Sequence, residues 1–168
     1  PEQILSSLPQ AINTMLDPAD CGPATISMSQ DVQGEAFDYP EIFFEEKIHE
    51  IRRIHPDPNQ IKQAADKLKK SSQPIIISGG GVLYSEAEEE ISNFAKKHNI
   101  PVTATVMGIG CMNKDDPYYI SAIGCLGEGS SNNLATDTDL ALAVGTKLGD
   151  FTTGSWTNFE NENFQLVS

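Results

Sequence analysis

Short runs of apolar and β-branched residues limit the folds open to this chain more than any other feature. The runs span Pro74–Ser78, Pro101–Val106, Leu140–Val144 and Phe164–Val167. A run without polar alternation is typical of a strand buried on both faces, and such strands occur in parallel sheets that helices cover. The chain is therefore expected to contain four strands of this kind.

The segments between these strands carry the signals of amphipathic helices. Asp57 and Gln60 have the spacing of a capping box, and the apolar stripe that follows predicts a helix to about Ser71. Ser85 and Glu88 form a second capping box before an acidic first turn, and the helix they predict ends in a basic run.

A third, short helix is predicted over Ser131–Thr136, after a loop-rich section that runs to Gly129. Buried strands that alternate with amphipathic helices predict an α/β fold. Specifically, the pattern predicts a three-layer, doubly wound parallel sheet with right-handed crossovers, which occupies residues 58–168.

The part of the chain before residue 58 lacks the regular alternation of buried strands and amphipathic helices. A helix with Pro9 in its first turn is predicted to end at Asp17-Pro18, and a short strand is predicted over Ala24–Met28. One helix and one strand are too little to bury an apolar face. Residues 1–36 are therefore interpreted as the tail of another domain, and residues 37–57, bracketed by turn signals, as an interdomain linker.

Composition narrows the possible functions. The net charge of −13 argues against nucleic acid as a partner, because phosphates are bound by clustered Lys and Arg. No run of 18 apolar residues occurs, and the three cysteines lack a C-x-x-C spacing, so we expect a reducing cytoplasm and no membrane. The first residue, Pro1, predicts a cut inside a longer protein.

Glycines mark a candidate ligand crevice, because ligands of open parallel sheets bind beyond the carboxyl ends of the strands. The first three predicted strands are followed by Gly79, Gly80 and Gly81, by Gly108 with Gly110, and by Gly145. Glycine lets a nucleotide approach the backbone closely. Tight turns need glycine whether or not a ligand binds, and the G-x-G-x-x-G fingerprint is absent. Both interpretations stay open.

Motifs that carry catalysis are missing from the sequence. It contains no G-x-S-x-G elbow, no phosphate-binding P-loop and no carboxylate pair spaced for acid–base chemistry. Asp137 and Asp139 precede a buried strand, and Asp115-Asp116 precedes Pro117, so both pairs are interpreted as loop and turn residues. No residue is therefore predicted to be catalytic, and none to bind a metal.

Several motifs, in a fixed order, resemble the thiamine-diphosphate enzymes of the acetolactate synthase group. The run from Gly22-Pro23 to Gln30-Asp31-Val32 is similar to the end of their pyrimidine-binding domain. The segments Pro74–Gly81 and Asp139–Phe151 are similar to two strands of their Rossmann-like central domain. Ala19–Pro23, Gln30–Ala36 and Gly127–Ala135 are most similar to a branch of hydrolases that open a trihydroxycyclohexane-1,2-dione ring to 5-deoxy-gluconic acid in myo-inositol catabolism.

The resemblance implies a role for the chain as well as a fold. Residues 1–36 would close the pyrimidine-binding domain, and residues 58–168 would form the non-catalytic central domain. The cofactors implied are thiamine diphosphate and Mg²⁺, bound outside this chain because neither the activating glutamate nor the Gly-Asp-Gly motif is present. The implied partners are the pyrimidine- and diphosphate-binding domains of the same chain, in a homo-oligomer, and the chain alone is expected to be inactive.

Two departures from the flavin-binding members of the group affect the cofactor prediction. Those members have Gly-Met-His-Gly where this chain reads Gly124-Cys125-Leu126-Gly127, and an Arg-Phe-Asp-Asp-Arg run where it reads Lys147–Phe151. The missing histidine and arginines argue against FAD, although Gly124 and Gly127 join the candidate crevice. The alternative is a nucleotide- or FAD-binding central domain of an acetolactate synthase-type decarboxylase.

Overall fold

The computed structural model describes residues 1–17, 19 and 21–168. Pro18 and Asp20 lie outside the described residues, so the part of the predicted helix-ending signal that falls on Pro18 is not tested. The chain divides into two compact units, Pro1–Asp57 and Pro58–Ser168. The assignment of residues 1–36 to a pyrimidine-binding domain and of residues 37–57 to a linker stays a prediction. Among the described residues, no helix has both the length and the apolar character needed to cross a membrane.

Among the described residues of the first unit, one α-helix, α1, spans Ile4–Met15. The prediction that Pro9 lies in the first turn is wrong, because the helix starts one turn earlier and holds Pro9 in its interior. Residues 21–29 form no strand, which contradicts the strand predicted over Ala24–Met28. A strand needs the backbone of a neighbour to accept its hydrogen bonds, and no described residue of this unit supplies one.

The second unit holds five helices, which pack around a sheet. Their bounds are Pro58–Lys70 for α2, Gly80–Tyr84 for α3, Glu88–His98 for α4, Gly129–Asp137 for α5 and Asp150–Thr153 for α6. The predicted helices α2 and α5 are confirmed. The capping box at Ser85 is wrong: Ser85 ends α3, Glu86 adopts a left-handed φ of 55°, and α4 begins only at Glu88.

The sheet has five parallel strands in the order β3-β2-β1-β4-β5. The strands are Pro74–Ser78 (β1), Val102–Ala104 (β2), Tyr119–Ala122 (β3), Leu140–Val144 (β4) and Gln165–Val167 (β5). The predicted α/β fold is confirmed, with one strand more than the four expected. The additional strand, β3, lies at one edge of the sheet, next to β2.

Both faces of the sheet are buried, as a doubly wound fold requires. On one face Ile76 packs with Val82, Val102 and α4, and on the other Ile75 and Ile77 pack with Ile123, Ala135 and Ala141. The three isoleucines of β1 are at most 1% exposed. Each stabilises the fold by roughly 2 kcal/mol through the apolar area that it removes from water. This central strand therefore fixes the positions of the loops that follow it.

Candidate functional site

The candidate crevice lies where the sheet changes winding direction. Because all five strands are parallel, their carboxyl ends share one edge, which we call the carboxyl edge. From the central β1 the chain proceeds to β2 and β3 on one side, then crosses to β4 and β5 on the other. Ligands of doubly wound sheets bind at such a switch point, here between the ends of β1 and β4.

Glycines at this switch point pack backbone against backbone. A Cβ atom on Gly79 would lie 2.3 Å from the carbonyl oxygen of Gly145, and one on Gly81 would lie 2.6 Å from the Gly145 Cα atom. A Cβ on Gly108 would lie 2.1 Å from the Ser78 carbonyl oxygen. Gly145 also adopts a left-handed φ of 61°. Glycine is therefore required at these positions by the contacts of the chain with itself.

Three backbone N–H groups at this turn, those of Gly79, Gly81 and Val82, are engaged by the protein. Gly79 donates to the Val144 carbonyl (2.8 Å), Gly81 donates to the Gly145 carbonyl (2.8 Å), and the N–H of Val82 donates to Gly79 (3.1 Å). A phosphate cradle depends on N–H groups that point at the ligand without another acceptor. Gly80 faces Met107, whose carbonyl oxygen would be 3.1 Å from an added Cβ. The geometry supports turn packing as the reason for these glycines.

Gly124 and Gly127 belong to a different cluster at the same edge. Gly124, at a φ of 99°, would place a Cβ 2.1 Å from the Phe151 carbonyl oxygen, so it contacts the loop after β4. Asn132 holds it through both amide atoms: Oδ1 accepts from the Gly124 N–H (2.9 Å), and Nδ2 donates to the Gly124 carbonyl (3.0 Å). A Cβ on Gly127 would meet the Ala122 carbonyl oxygen at 2.6 Å. The structure thus does not bring all seven predicted glycines into one crevice.

Sequence reasoning missed Asn132 as a positioning residue. Besides its two bonds to Gly124, its Oδ1 accepts a 3.3 Å hydrogen bond from Asn158 Nδ2 in the loop after β4. The Cys125 N–H donates to the Phe151 carbonyl (2.8 Å) and joins the same two loops. No periodicity or spacing marks one asparagine in a Ser-Ser-Asn-Asn run, so no sequence signal could have singled it out.

The loop after β4, residues 145–159, which includes the short helix α6, contains strained backbone. Leu148, Ser155 and Trp156 have φ values of 46°, 56° and 65°, in the left-handed region that L side chains rarely adopt. Each costs about 1 kcal/mol or more relative to ordinary backbone. The Leu148 N–H donates to Thr146 Oγ1 (3.2 Å), and Ser155 Oγ donates to Asp150 Oδ1 (2.8 Å). These local bonds offset the strain and fix the loop.

The opposite edge of the sheet carries a carboxylate clamp. Asp139 accepts hydrogen bonds from the Ser71 hydroxyl, the Ser72 N–H (2.7 Å) and the Gln73 N–H (3.1 Å). Burial raises the pKa of Asp139, but the three hydrogen bonds outweigh it and hold this pKa below its ordinary value. The clamp joins the loop after α2 to the start of β4, so Asp139 has a structural role, as the interpretation of the pair Asp137 and Asp139 predicted.

A second carboxylate, Asp116, organises the turn before β3. Its Oδ1 accepts from the Tyr118 N–H (3.0 Å), and its Oδ2 accepts from Ser92 Oγ (3.0 Å) and Lys96 Nζ (3.0 Å). The Tyr118 N–H is the main cause of a lowered pKa of Asp116; burial opposes it, and the bonds from Lys96 and Ser92 add to it. The turn role predicted for this residue is confirmed.

The described residues of the second unit contain no cluster of metal-ligating side chains. Asp116 and Glu88 line an open cavity of about 480 Å³, but the part of the chain that the structure describes contains no group of three or more His, Cys, Asp or Glu able to hold a cation. The three cysteines carry free thiols. Burial raises the pKa of the Cys111 thiol, which disfavours the nucleophilic thiolate.

Comparison with known proteins identifies the fold. Residues 61–168 match the model of the thiamine pyrophosphate enzyme central domain. The chain belongs to this family. Over all 168 residues, this central domain and the segment before it are 41% identical to the 3D-(3,5/4)-trihydroxycyclohexane-1,2-dione hydrolase of Clostridium botulinum. The proteins of that name from Halalkalibacterium halodurans and from a strain of Bacillus cereus are 42% and 39% identical over the same length.

These relatives are much longer than the chain. The match covers 100% of this chain and 26% of each relative, so the chain spans about a quarter of their length. Within the chain, the central domain contains the five-stranded sheet and its carboxyl-edge loops.

Proposed function

We propose that the chain is the non-catalytic central domain of a thiamine-diphosphate-dependent hydrolase that cleaves a carbon–carbon bond. The whole enzyme would open a trihydroxycyclohexane-1,2-dione ring to 5-deoxy-gluconic acid in myo-inositol degradation. The observation that carries this proposal is an identity of 38–42% to proteins named as that hydrolase, maintained over the entire chain. A likeness that extends through both units favours a shared parent architecture over a shared fold alone.

The central domain would act as a brace in this enzyme. Its pyrimidine- and diphosphate-binding partners would come from the same polypeptide, assembled as a homo-oligomer in the cytoplasm, and they would hold thiamine diphosphate and Mg²⁺. The rigid sheet and the locked loops of the carboxyl edge suit a domain that maintains distances between its neighbours. When bound, thiamine diphosphate would supply the carbanion-stabilising chemistry, and this domain would contribute shape.

The alternative, a nucleotide- or FAD-binding central domain of a decarboxylase, is less well supported by the geometry. The N–H groups of Gly79, Gly81 and Val82 already donate to backbone carbonyls. Leu126 stands in place of the histidine of flavin-binding members, and it cannot donate a hydrogen bond to a dinucleotide. A ligand at the switch point would therefore require the loops to open.

The proposal is tested on the full-length polypeptide that contains this chain. With thiamine diphosphate and Mg²⁺, it should open the cyclic dione and should not decarboxylate pyruvate, and removal of thiamine diphosphate should abolish turnover. The 168-residue chain serves as the control and should be inactive. Turnover of pyruvate with no turnover of the dione would refute the proposal in favour of the decarboxylase.

A calorimetric titration of the 168-residue chain tests the ligand prediction separately. FAD, ADP and thiamine diphosphate with Mg²⁺ should each give no saturable heat, because the candidate crevice is filled by backbone contacts. Saturable binding of FAD or ADP would show that the loops open, and it would assign the strand-end glycines to a ligand.

A further inference from the structure

Residues 149–160, which we call the strap, are hydrogen-bonded mainly to one another. The Ser155 N–H donates to the Asp150 carbonyl (3.2 Å), and the Asn158 N–H donates to the Thr153 carbonyl (3.4 Å). A compact surface loop of this kind is packed by its own groups rather than by the body of the domain. The strap can therefore move relative to the sheet without breaking the ladders that hold the sheet together.

Few contacts hold the strap against the rest of the second unit. Among the described residues, two hydrogen bonds do so: the Cys125 N–H donates to the Phe151 carbonyl (2.8 Å), and Asn158 Nδ2 donates to Asn132 Oδ1 at a longer 3.3 Å. Beneath the strap, Phe159 packs against the buried apolar cluster on one face of the sheet. These contacts keep the strap closed, and only these have to break for it to open.

Three successive residues of the strap adopt left-handed backbone. Gly154, Ser155 and Trp156 have φ values of 56°, 56° and 65°. L residues visit this region singly, because their Cβ atom approaches the following carbonyl oxygen too closely. Ser155 and Trp156 lose this strain when the strap opens, which offsets part of the free energy of the broken contacts. Strained backbone of this kind occurs in segments that switch between two conformations.

The two ends of the strap confine the motion to the residues between them. Gly149 has open space around it, since no atom lies within 4 Å of the position that a Cβ would occupy. Leu148, the residue before it, packs against the buried apolar cluster. At the other end, Asn161 Nδ2 donates to the Asp137 carbonyl (3.0 Å) and fixes the chain where the strap ends. Gly149 is therefore placed to act as a hinge.

We propose that the strap is a conformational gate, which opens as one unit from Cys125 and Asn132 and uncovers the apolar cluster beneath Phe159. The closed strap is the ground state, and the open strap is a minor state in which the left-handed turn has relaxed. Because Asn132 also holds Gly124 through both amide atoms, opening also loosens the loop after β3. A ligand that binds the uncovered apolar surface would shift the population towards the open state. The gate does not depend on the chemistry of the parent enzyme.

Native-state hydrogen exchange of the 168-residue chain, followed amide by amide by NMR, tests the gate. The Cys125 N–H reports release of Phe151, and the Ser155 N–H reports relaxation of the left-handed turn. The Ile76 N–H, which donates to the Pro101 carbonyl (2.9 Å) in the central sheet, reports global unfolding. Cys125 and Ser155 should share one protection factor, at least about 100-fold below that of Ile76, because local opening needs less free energy than global unfolding. Protection of Cys125 equal to that of Ile76, or unequal protection of Cys125 and Ser155, would overturn the proposal.

Paired substitutions at two positions of the strap isolate the strain. Ser155→Gly and Ser155→Ala both remove the hydrogen bond from Ser155 Oγ to Asp150 (2.8 Å), but only glycine adopts a left-handed φ without strain. Cys125 should therefore be about threefold or more better protected in Ser155→Gly than in Ser155→Ala. Thr157→Gly and Thr157→Ala are the matched control, because the φ of Thr157 lies outside the left-handed region and both variants lose its hydrogen bond to Gly154 (2.6 Å). There the order should reverse, since glycine favours the open chain. Better protection in the alanine variant at both positions would refute the strain on which the gate depends.

Asp139→Asn distinguishes opening of the strap from unfolding of the whole unit. Asp139 clamps the opposite edge of the sheet, and its hydrogen bonds stay intact when the strap opens. The substitution should lower the protection of Ile76 about fivefold or more and leave that of Cys125 within about twofold. Asn158→Ala, which removes the bond to Asn132, should lower the protection of both amides equally, because that bond is absent from the open and the unfolded states alike. An equal fall at Cys125 and Ile76 in Asp139→Asn would show that Cys125 exchanges only through global unfolding and would overturn the gate.

Discussion

Removal of the Asp139 carboxylate should destabilise the second unit while leaving its fold intact. The carboxylate accepts three hydrogen bonds from residues 71–73, two of them from backbone N–H groups that point out of the loop after α2. In Asp139→Ala all three are lost. Each bond to a charged acceptor contributes roughly 1 kcal/mol net where water can partly replace it, so we expect a loss of about 2–3 kcal/mol.

Asp139→Asn is the more selective perturbation. The remaining side-chain oxygen of the asparagine can still accept hydrogen bonds from Ser71 and Gln73. Its Nδ2 group would face the Ser72 N–H, so the hydrogen bond to Ser72 is lost and two donors oppose each other. A loss of about 1–2 kcal/mol is therefore expected. The exposed Asp137→Asn is the control, because that substitution removes the same charge two residues earlier, at the end of α5.

Urea unfolding provides the measurement. Trp156 is the sole tryptophan and lies in the second unit, so its fluorescence, with circular dichroism, follows the unit that contains the clamp. With an unchanged m value, Asp139→Ala should lower the midpoint by about 1 M. A midpoint for both Asp139 variants that equals that of Asp137→Asn would show that the clamp contributes nothing and that our reasoning is wrong.

The pH dependence follows from the direction of the pKa shift. The folded-state pKa of Asp139 is held below the unfolded value of about 3.9. The unfolded chain therefore binds the proton first, and the contribution of the clamp is fully present above pH ~5 and lost as the pH falls through the folded pKa. The stability difference between wild type and Asp139→Asn should be largest near neutral pH and should shrink below pH ~4.

Three other substitutions test the contacts that order the loops. Asn132→Ala should cost about 2 kcal/mol, because it removes both bonds to the loop after β3, whereas the exposed neighbour Asn133→Ala should cost less than about 0.5 kcal/mol; urea midpoints compare the two. Asp116→Asn should cost about 1–2 kcal/mol near neutral pH, and this cost should shrink only as the pH falls through the lowered folded pKa of Asp116. Gly145→Ala should lower the melting temperature, and Gly129→Ala, which has open space around it, should not.

The central strands could be predicted from the sequence, and one edge strand could not. Strand β1 is apolar because both of its faces are covered, and that demand leaves a visible pattern in Pro74–Ser78. Strand β3, Tyr119–Ala122, has no fully buried residue and is only four residues long, too short for a clear alternation of polar and apolar residues. This segment forms a strand because it pairs with β2, and the local sequence does not predict that pairing.

Helix α3 was missed for a related reason. Its first residues, Gly80 and Gly81, disfavour a helix by their intrinsic propensity. They are glycines because Gly145 and Met107 approach too closely for a Cβ atom. A tertiary contact therefore requires residues whose intrinsic helix propensity is low. The predicted strand over Ala24–Met28 shows the converse, since β-prone residues stay unpaired where no neighbouring strand is described.

The same contacts favour the packing interpretation of the strand-end glycines, and Gly145→Ala is the variant that separates it from the ligand interpretation. At a φ of 61°, its Cβ would lie 2.7 Å from both Gly81 Cα and Val82 N, atoms that cannot move without shifting α3. Left-handed strain and overpacking together should cost about 2–4 kcal/mol. If the strand ends instead formed an open nucleotide crevice, a methyl group would find space there, and Gly145→Ala would impair ligand binding while leaving the melting temperature near that of Gly129→Ala. An unchanged melting temperature would therefore refute the packing interpretation, because no rearrangement of flexible side chains could make room between two backbones.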